Sequence, residues 1–254
     1  MNLAVIQARF SSSRLPGKVL KPLHGEAMLL QQIKRLKKAK AIDRLVVATS
    51  SQASDNPIEA LCLEQGIDYF RGDLDDVLGR FYHCALKYNA SNLIRLTGDC
   101  PLLDPNVVDA AIKLHLASGA DYTSNCTERT YPDGQDVEVF TMAALHQAFG
   151  KAKKPSEREH VTPYIRENTD FSQAHLTQTA DWSELRMSVD HPADFQFAQT
   201  VYGHLYDANP DFSLADIVAL LQAHPEIADI NQGITYNEGY LKSLQQDKEQ
   251  GFNS

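Results

Sequence analysis

The chain has 254 residues, 43% of them apolar, and a formal net charge of −9. That supplies a core for one α/β domain of the larger kind, and the acidic total argues against nucleic acid, whose phosphate backbone demands a basic face. No apolar run approaches the ~18 residues that span a bilayer, and Arg9 closes the first apolar stretch too early for a signal peptide. Four widely spaced cysteines (Cys62, Cys84, Cys100, Cys126) contain no C-x-x-C pair, which reads as reduced thiols in a cytoplasmic protein without a membrane partner.

Residues 3–8 form a short buried-strand pattern that runs into a loop carrying Arg9, Arg14 and Lys18, Ser11, Ser12 and Ser13, and Gly17. Several cations and open backbone N–H groups at the end of a first strand suit a polyanion such as a nucleotide triphosphate. Neither a Walker P-loop nor a dinucleotide fingerprint is present, and a solvated loop paired with surface carboxylates is the plain alternative. Helical periodicity follows over 28–39, a strand over 45–49, and a helix from the Ser54-Asp55-Asn56-Pro57 start to a stop at Gly66. A strand at 68–70, a helix over 75–89 and a strand at 93–97 lead into Gly98-Asp99-Cys100-Pro101. A helix from Asp104-Pro105 to about 118 and a strand at 121–124 complete the first half.

Alternation of this kind implies right-handed βαβ crossovers and a three-layer α/β domain with a mostly parallel twisted sheet. Ligands bind such sheets at the carboxyl ends of the strands, where Arg9 and Asp99 both fall. From about 125 to 180 the alternation breaks down, with a turn at Tyr131-Pro-Asp-Gly134, a strand over 137–141, a helix over 142–151 and a polar helix start at Ser156 cut by Pro163. This stretch reads as an insertion flanking the cleft and as the surface of a homodimer. A last strand at 187–190 precedes helices from His191-Pro192 to 206, over 213–223 and over 237–248. Residues 245–254 are polar and expected to fray. No repeat or low-complexity linker divides the chain, so 1–254 is expected to be one domain.

The segment Val-Ile-Gln-Ala-Arg-Phe-Ser-Ser-Ser-Arg-Leu-Pro-Gly-Lys at 5–18 resembles the opening motif of the sugar cytidylyltransferases, a group that includes the 3-deoxy-manno-octulosonate and acylneuraminate enzymes. A longer agreement, over roughly 3–195, is with the SpsF-type spore-coat polysaccharide biosynthesis proteins. It rests on Asp76-Val-Leu-Gly-Arg80, on the segments at 95–103 and 131–138, on Arg158-Glu-His-Val-Thr-Pro-Tyr164 and on Val189-Asp-His-Pro192. The resemblance implies a nucleotide-diphospho-sugar transferase fold and a Mg2+-dependent nucleotidyl transfer from CTP to a sugar or sugar phosphate, with pyrophosphate released. It places Arg14 and Lys18, with Arg9 beside them, on the β- and γ-phosphates, and makes Asp99 and Asp190 the metal ligands. Ala8, Ser13 and Arg80 join Arg9, Arg14 and Lys18 as nucleotide contacts, and Arg9, Arg14, Lys18 and Asp99 carry the catalysis. Tyr131, Asp133, Glu138, Arg158, Glu159 and His160 fall to the acceptor side.

Read without the resemblance, Asp99 and Asp190 are ordinary turn or helix-capping residues. Asp76 and Arg80 form an i,i+4 ion pair, and Ser156 with Glu159 a capping box. His191 caps a helix or orients Asp190, Cys100 is core, and Phe195, Phe197, Val201 and Leu205 are packing. Asp73 and Asp75 also make a D-x-D string, as in metal-dependent glycosyltransferases that consume a nucleotide sugar. The residues equally admit guanine in place of cytosine, or a non-catalytic nucleotide-sugar-binding subunit.

Overall fold

A computed structural model describes residues 1–12 and 14–252. Its centre is a seven-stranded sheet in which the strands at 68–72, 44–50, 2–7, 92–97, 138–141, 122–124 and 173–175 lie side by side in that order. Strands β1 (Asn2–Gln7), β4 (Arg44–Ser50), β5 (Asp68–Gly72) and β6 (Asn92–Thr97) are mutually parallel. Beyond them β8 (Glu138–Thr141) runs antiparallel to both β6 and β7 (Tyr122–Ser124), while β9 (Gln173–His175) is parallel to β7. A small hairpin, β2 (Pro22–Leu23) with β3 (Glu26–Ala27), follows the basic loop and has no counterpart among the elements expected from the sequence.

Strand alternation divides the core into two layers, because successive side chains leave opposite faces of a strand. Ala4, Ile6, Val47, Ile94, Leu96 and Val139 join one buried cluster, and Leu3, Val5, Val46, Ala48, Leu93 and Phe140 the other. Helices α1 (Met28–Leu36), α2 (Asn56–Glu64) and α4 (Pro105–Ser118) cover the first face. On the second lie α3 (Val77–Lys87), α5 (Met142–Lys151), α6 (Pro155–His160) and α7 (Pro163–Arg166). Helices α8 (Pro192–Leu205), α9 (Leu214–Ala223) and α10 (Pro225–Ala228) add to the first layer, and α11 (Glu238–Glu249) packs on α6. Among the described residues no helix is long and apolar enough to cross a membrane.

Four expectations change. Part of the supposed insertion belongs to the central sheet, since β8 fills the place between β6 and β7. Its residues Val139 and Phe140, like Val137 just before it, are fully buried, so this is core and not an appendage. Residues 187–190 form no strand; the segment pairs by an isolated bridge at Arg186 and by single backbone bonds. Residues 245–249, expected to fray, continue α11, where Asp247 accepts from the Ser156 amide at 3.0 Å and from its hydroxyl. The capping box at the start of α6 also shifts: Glu157 accepts from the Lys153 and Lys154 amides, while Ser156 bonds Asp247.

Candidate active site

The carboxyl ends of β1 and β6 lie side by side. The Gly98 amide donates to Gln7 O at 2.8 Å, and a Cβ on Gly98 would stand 3.0 Å from that oxygen, so only glycine lets the two strand ends approach this closely. Between them opens a cavity of about 310 Å3. Ala8, Arg9, Arg14, Lys18, Arg80, Asp99 and Asp190 all line it; Ser13 lies outside the described residues.

The basic loop is anchored by Asp55, a fully buried residue that in sequence reads only as a helix start. Its Oδ1 accepts from the Phe10 amide at 2.7 Å, and its Oδ2 accepts from the Ser50 amide at 3.0 Å and hydroxyl at 2.5 Å. These bonds hold the Asp55 carboxyl below the usual aspartate range although burial pushes the other way. The loop closes on Gly17 (φ 68), whose amide donates to Phe10 O at 3.0 Å, and a one-turn 3-10 helix at Lys18–Leu20 then sends Lys18 inward.

Lys18 is the hub. Its Nζ donates to Asp99 Oδ2 at 2.9 Å, Asp190 Oδ1 at 2.8 Å and Val189 O at 2.7 Å. Burial alone would lower the pKa of this ammonium, but the two aspartates outweigh it and raise it above the ordinary lysine value. Arg14 straddles Asp190 at 2.8 Å and Glu238 at 2.7 Å. Burial raises the Asp190 pKa, and Lys18 and Arg14 more than reverse that, leaving it well below normal. Two aspartates 91 positions apart thus meet on one ammonium beneath the basic loop.

Residues without a predicted role complete this end. Arg186 pairs with Asp133 at 2.5 Å, Asp194 at 2.8 Å and Asp190 at 3.4 Å. The fully buried Asp194 accepts from the Asp190 and His191 amides, both at 2.9 Å, and so fixes the Asp190 backbone at the start of α8. Three cations, Arg14, Lys18 and Arg186, therefore face five carboxylates, Asp99, Asp133, Asp190, Asp194 and Glu238. Arg9 stands apart, its side chain 48% exposed and 4.0 Å from Glu159. Arg80 is buried, with Nη1 donating to Asp73 O at 2.6 Å and Nε lacking a partner among the described residues; burial pulls its pKa down to about 10.

Asp73 is spent on the Asp75 and Asp76 amides, each at 2.8 Å, so the D-x-D string is a loop cap. Asp76 caps α3 through the Gly79 amide at 2.9 Å and pairs with Arg158 in place of the expected Arg80. Neither Arg158 nor Tyr131 reaches the cavity, whereas Asp133, Glu138, Glu159 and His160 do. Tyr131 packs on the core.

The inner end of the cavity is built differently. Arg95 and Glu138 are register partners on β6 and β8 and form an ion pair; Glu138 also accepts from Tyr122 at 2.6 Å and Thr162 at 2.5 Å. Ser243 of α11 donates to Glu159 at 2.7 Å, which leaves its oxygen to accept from His160 Nε2 at 2.9 Å. Burial first, then Arg95, pushes the His160 pKa down to about 4. Asp136 lines the cavity without a hydrogen bond or ion pair to any described residue, and burial beside Asp133 and Glu138 raises its pKa to about 7. Arg95 and Asp136 lie inside motifs noted in the sequence but received no role there.

A mostly parallel sheet thus carries at its β1 and β6 ends a cavity in which three cations face carboxylates. The profile of the cytidylyltransferase family matches residues 3–233, and the chain belongs to that family. It is 32% identical to the spore coat polysaccharide biosynthesis protein SpsF of Bacillus subtilis, over 89% of this chain and 96% of that one. A cytidylyltransferase structure from Leptospira borgpetersenii superposes with a TM-score of 0.87 at 32% identity, covering 92% of this chain and 99% of the other. The CTP complex of CMP:2-keto-3-deoxy-manno-octonic acid synthetase, at 17% identity and a TM-score of 0.61 over 80% and 98% of the chains, shares the fold.

Proposed function

We propose that the protein transfers CMP from CTP to a small sugar or sugar phosphate, releasing pyrophosphate, in the synthesis of a surface polysaccharide. The observation that carries this reading is the meeting of Asp99, Asp190 and Arg14 around Lys18 in one cavity at the strand ends. The acceptor oxygen attacks the α-phosphorus, a new P–O bond forms, and the bond from that phosphorus to the bridging oxygen breaks. The acceptor proton passes to solvent, and pyrophosphate leaves with the electron pair. Arg9 and Arg14 hold the leaving group, and Lys18, whose three protons serve Asp99, Asp190 and Val189 O, offsets its charge from beneath, so catalysis rests on positioning and electrostatics. Ala8 and Arg80 face the nucleotide, and the inner end with Glu159, His160, Arg166 and Asp136 receives the acceptor.

Mg2+ suits the donor set. Among the described residues no group of three or more His, Cys, Asp or Glu side chains is arranged to hold a metal, but Mg2+ asks for only one or two carboxylates beside phosphate oxygens and waters. Asp99 and Asp190 supply two hard oxygens in a site where carboxylates outnumber cations. Bound there, Mg2+ would neutralise the phosphates and polarise the α-phosphoryl group. The family, the sugar-linked name of the SpsF relative and the octonic acid synthetase fold support the same class of reaction.

The deciding assay measures pyrophosphate release with Mg2+ from CTP, GTP, UTP and ATP against a panel of sugars and sugar phosphates. CTP with one acceptor should give release, and Asp99→Asn should cut it by about a hundredfold or more with the melting temperature preserved. Nucleoside diphosphate release from a nucleotide sugar would replace the proposal with glycosyl transfer, and equal turnover in the variant would remove Asp99 from the chemistry.

A further inference from the structure

Residues 236–240 lie beyond the stretch matched by the family, 3–233, yet Tyr236, Glu238 and Tyr240 line the cavity. Glu238 sits at the first position of α11, directly after Asn237 in the left-handed region (φ 56). Its Oε2 takes Arg14 Nη1 at 2.7 Å and lies 3.1 Å from His191 Nε2.

We propose that Glu238 is a built-in competitor for the leaving-group end of the nucleotide, a residue that sets how tightly triphosphate and pyrophosphate are held. The inference rests on the reading above that Arg14 grips the β- and γ-phosphates. A guanidinium offers a limited fork of donors. In Arg14 one arm is committed to Asp190 and the other to Glu238. A phosphate oxygen arriving at that second arm meets a carboxylate, and two anions cannot share it without repulsion.

The two carboxylates differ in what else secures them. Asp190 is pinned by Lys18, and its amide by the buried Asp194. Glu238 has a side chain 28% exposed, and among the described residues only Arg14 and His191 pair with it. It is the carboxylate that can rotate away while α11 stays fastened to α6 through Asp247 on Ser156 and Ser243 on Glu159. When pyrophosphate has formed, the return of Glu238 to Arg14 helps to expel it. CMP has no β- or γ-phosphate and is indifferent to Glu238.

Isothermal titration of the full-length protein with CTP, with pyrophosphate and with CMP, each in Mg2+, tests this for wild type, Glu238→Gln and Glu238→Ala. Loss of the carboxylate should lower the Kd for CTP and for pyrophosphate about threefold or more, as expected for one partly exposed ion pair, and leave CMP unchanged. An unchanged or higher Kd for CTP in both variants overturns the proposal, and so does an equal gain for CMP. A wild type that binds neither CTP nor pyrophosphate fails at the earlier step, the assignment of Arg14 to phosphates.

Discussion

The outer and inner ends of the cavity differ in how their titratable groups are held. At the outer end Lys18, Arg14, Arg186, Asp99 and Asp190 are cross-paired, and pairing outweighs burial at Asp190, which is held ionised, and at Lys18, which is held protonated. At the inner end Arg95 and Glu138 are also paired, but at two neighbouring groups burial prevails. His160 is kept neutral with a pKa of about 4, and Asp136 rises to about 7 with no partner among the described residues. The outer end is a preorganised charge network suited to a polyanion; the inner end sets the neutral His160 and the raised Asp136 beside the charged Arg95–Glu138 pair.

The largest effect should come from breaking the network at its hub. Lys18→Ala leaves Asp99 and Asp190 facing each other without their shared ammonium, at a cost of about 2 kcal/mol or more in stability. It should weaken CTP binding far more than CMP binding. Equal losses for the two nucleotides, read by titration, would show that Lys18 does not offset the charge of the terminal phosphates and would erase the distinction between the ends.

A smaller effect is expected from the loop's anchor. Asp55→Ala leaves the amides of Phe10 and Ser50 without their acceptor, worth about 1–3 kcal/mol, and frees the loop that carries Arg9 and Arg14. KM for CTP should rise while that for the acceptor holds; a rise confined to the acceptor would reverse the assignment of the two ends.

The smallest is a pH effect at the inner end. His160 faces Arg95, Glu159, Glu138 and Arg166. Its folded pKa lies below the unfolded value of about 6.5, so between about pH 4 and 6.5 the unfolded state binds the extra proton and stability rises with pH. The melting temperature of wild type relative to His160→Gln should therefore climb as pH goes from 5 to 7. A flat difference would mean that burial does not depress His160 and would remove the contrast between the two ends.

Much of this molecule is legible in its residues. Short apolar runs at 3–6 and 45–48 mark the parallel strands, and Asp104 before Pro105, with Gly119 after, marks both ends of α4. Arg14 and Lys18 stand out because the basic loop is local, written in consecutive residues, and Asp99 and Asp190 stand out only through the short motifs shared with a family. Asp55, Arg186, Asp194 and Glu238 do not. Each looks like a surface or capping residue in sequence, and each gains its role from its partners in the folded chain: Asp55 from Phe10, Arg186 from Asp133, Glu238 from Arg14, 224 positions away. The placement of β8 inside the sheet and the docking of α11 on α6 are hidden for the same reason. Which short strand pairs with which, and which exposed helix face finds a neighbour, depends on long-range burial that periodicity does not encode. Sequence alone thus determined the α/β frame and the basic loop, and its resemblance to a family singled out Asp99 and Asp190. Tertiary structure decided that their charges meet on one lysine and that the last helix walls the site, because ion pairing and desolvation are set by distance in space.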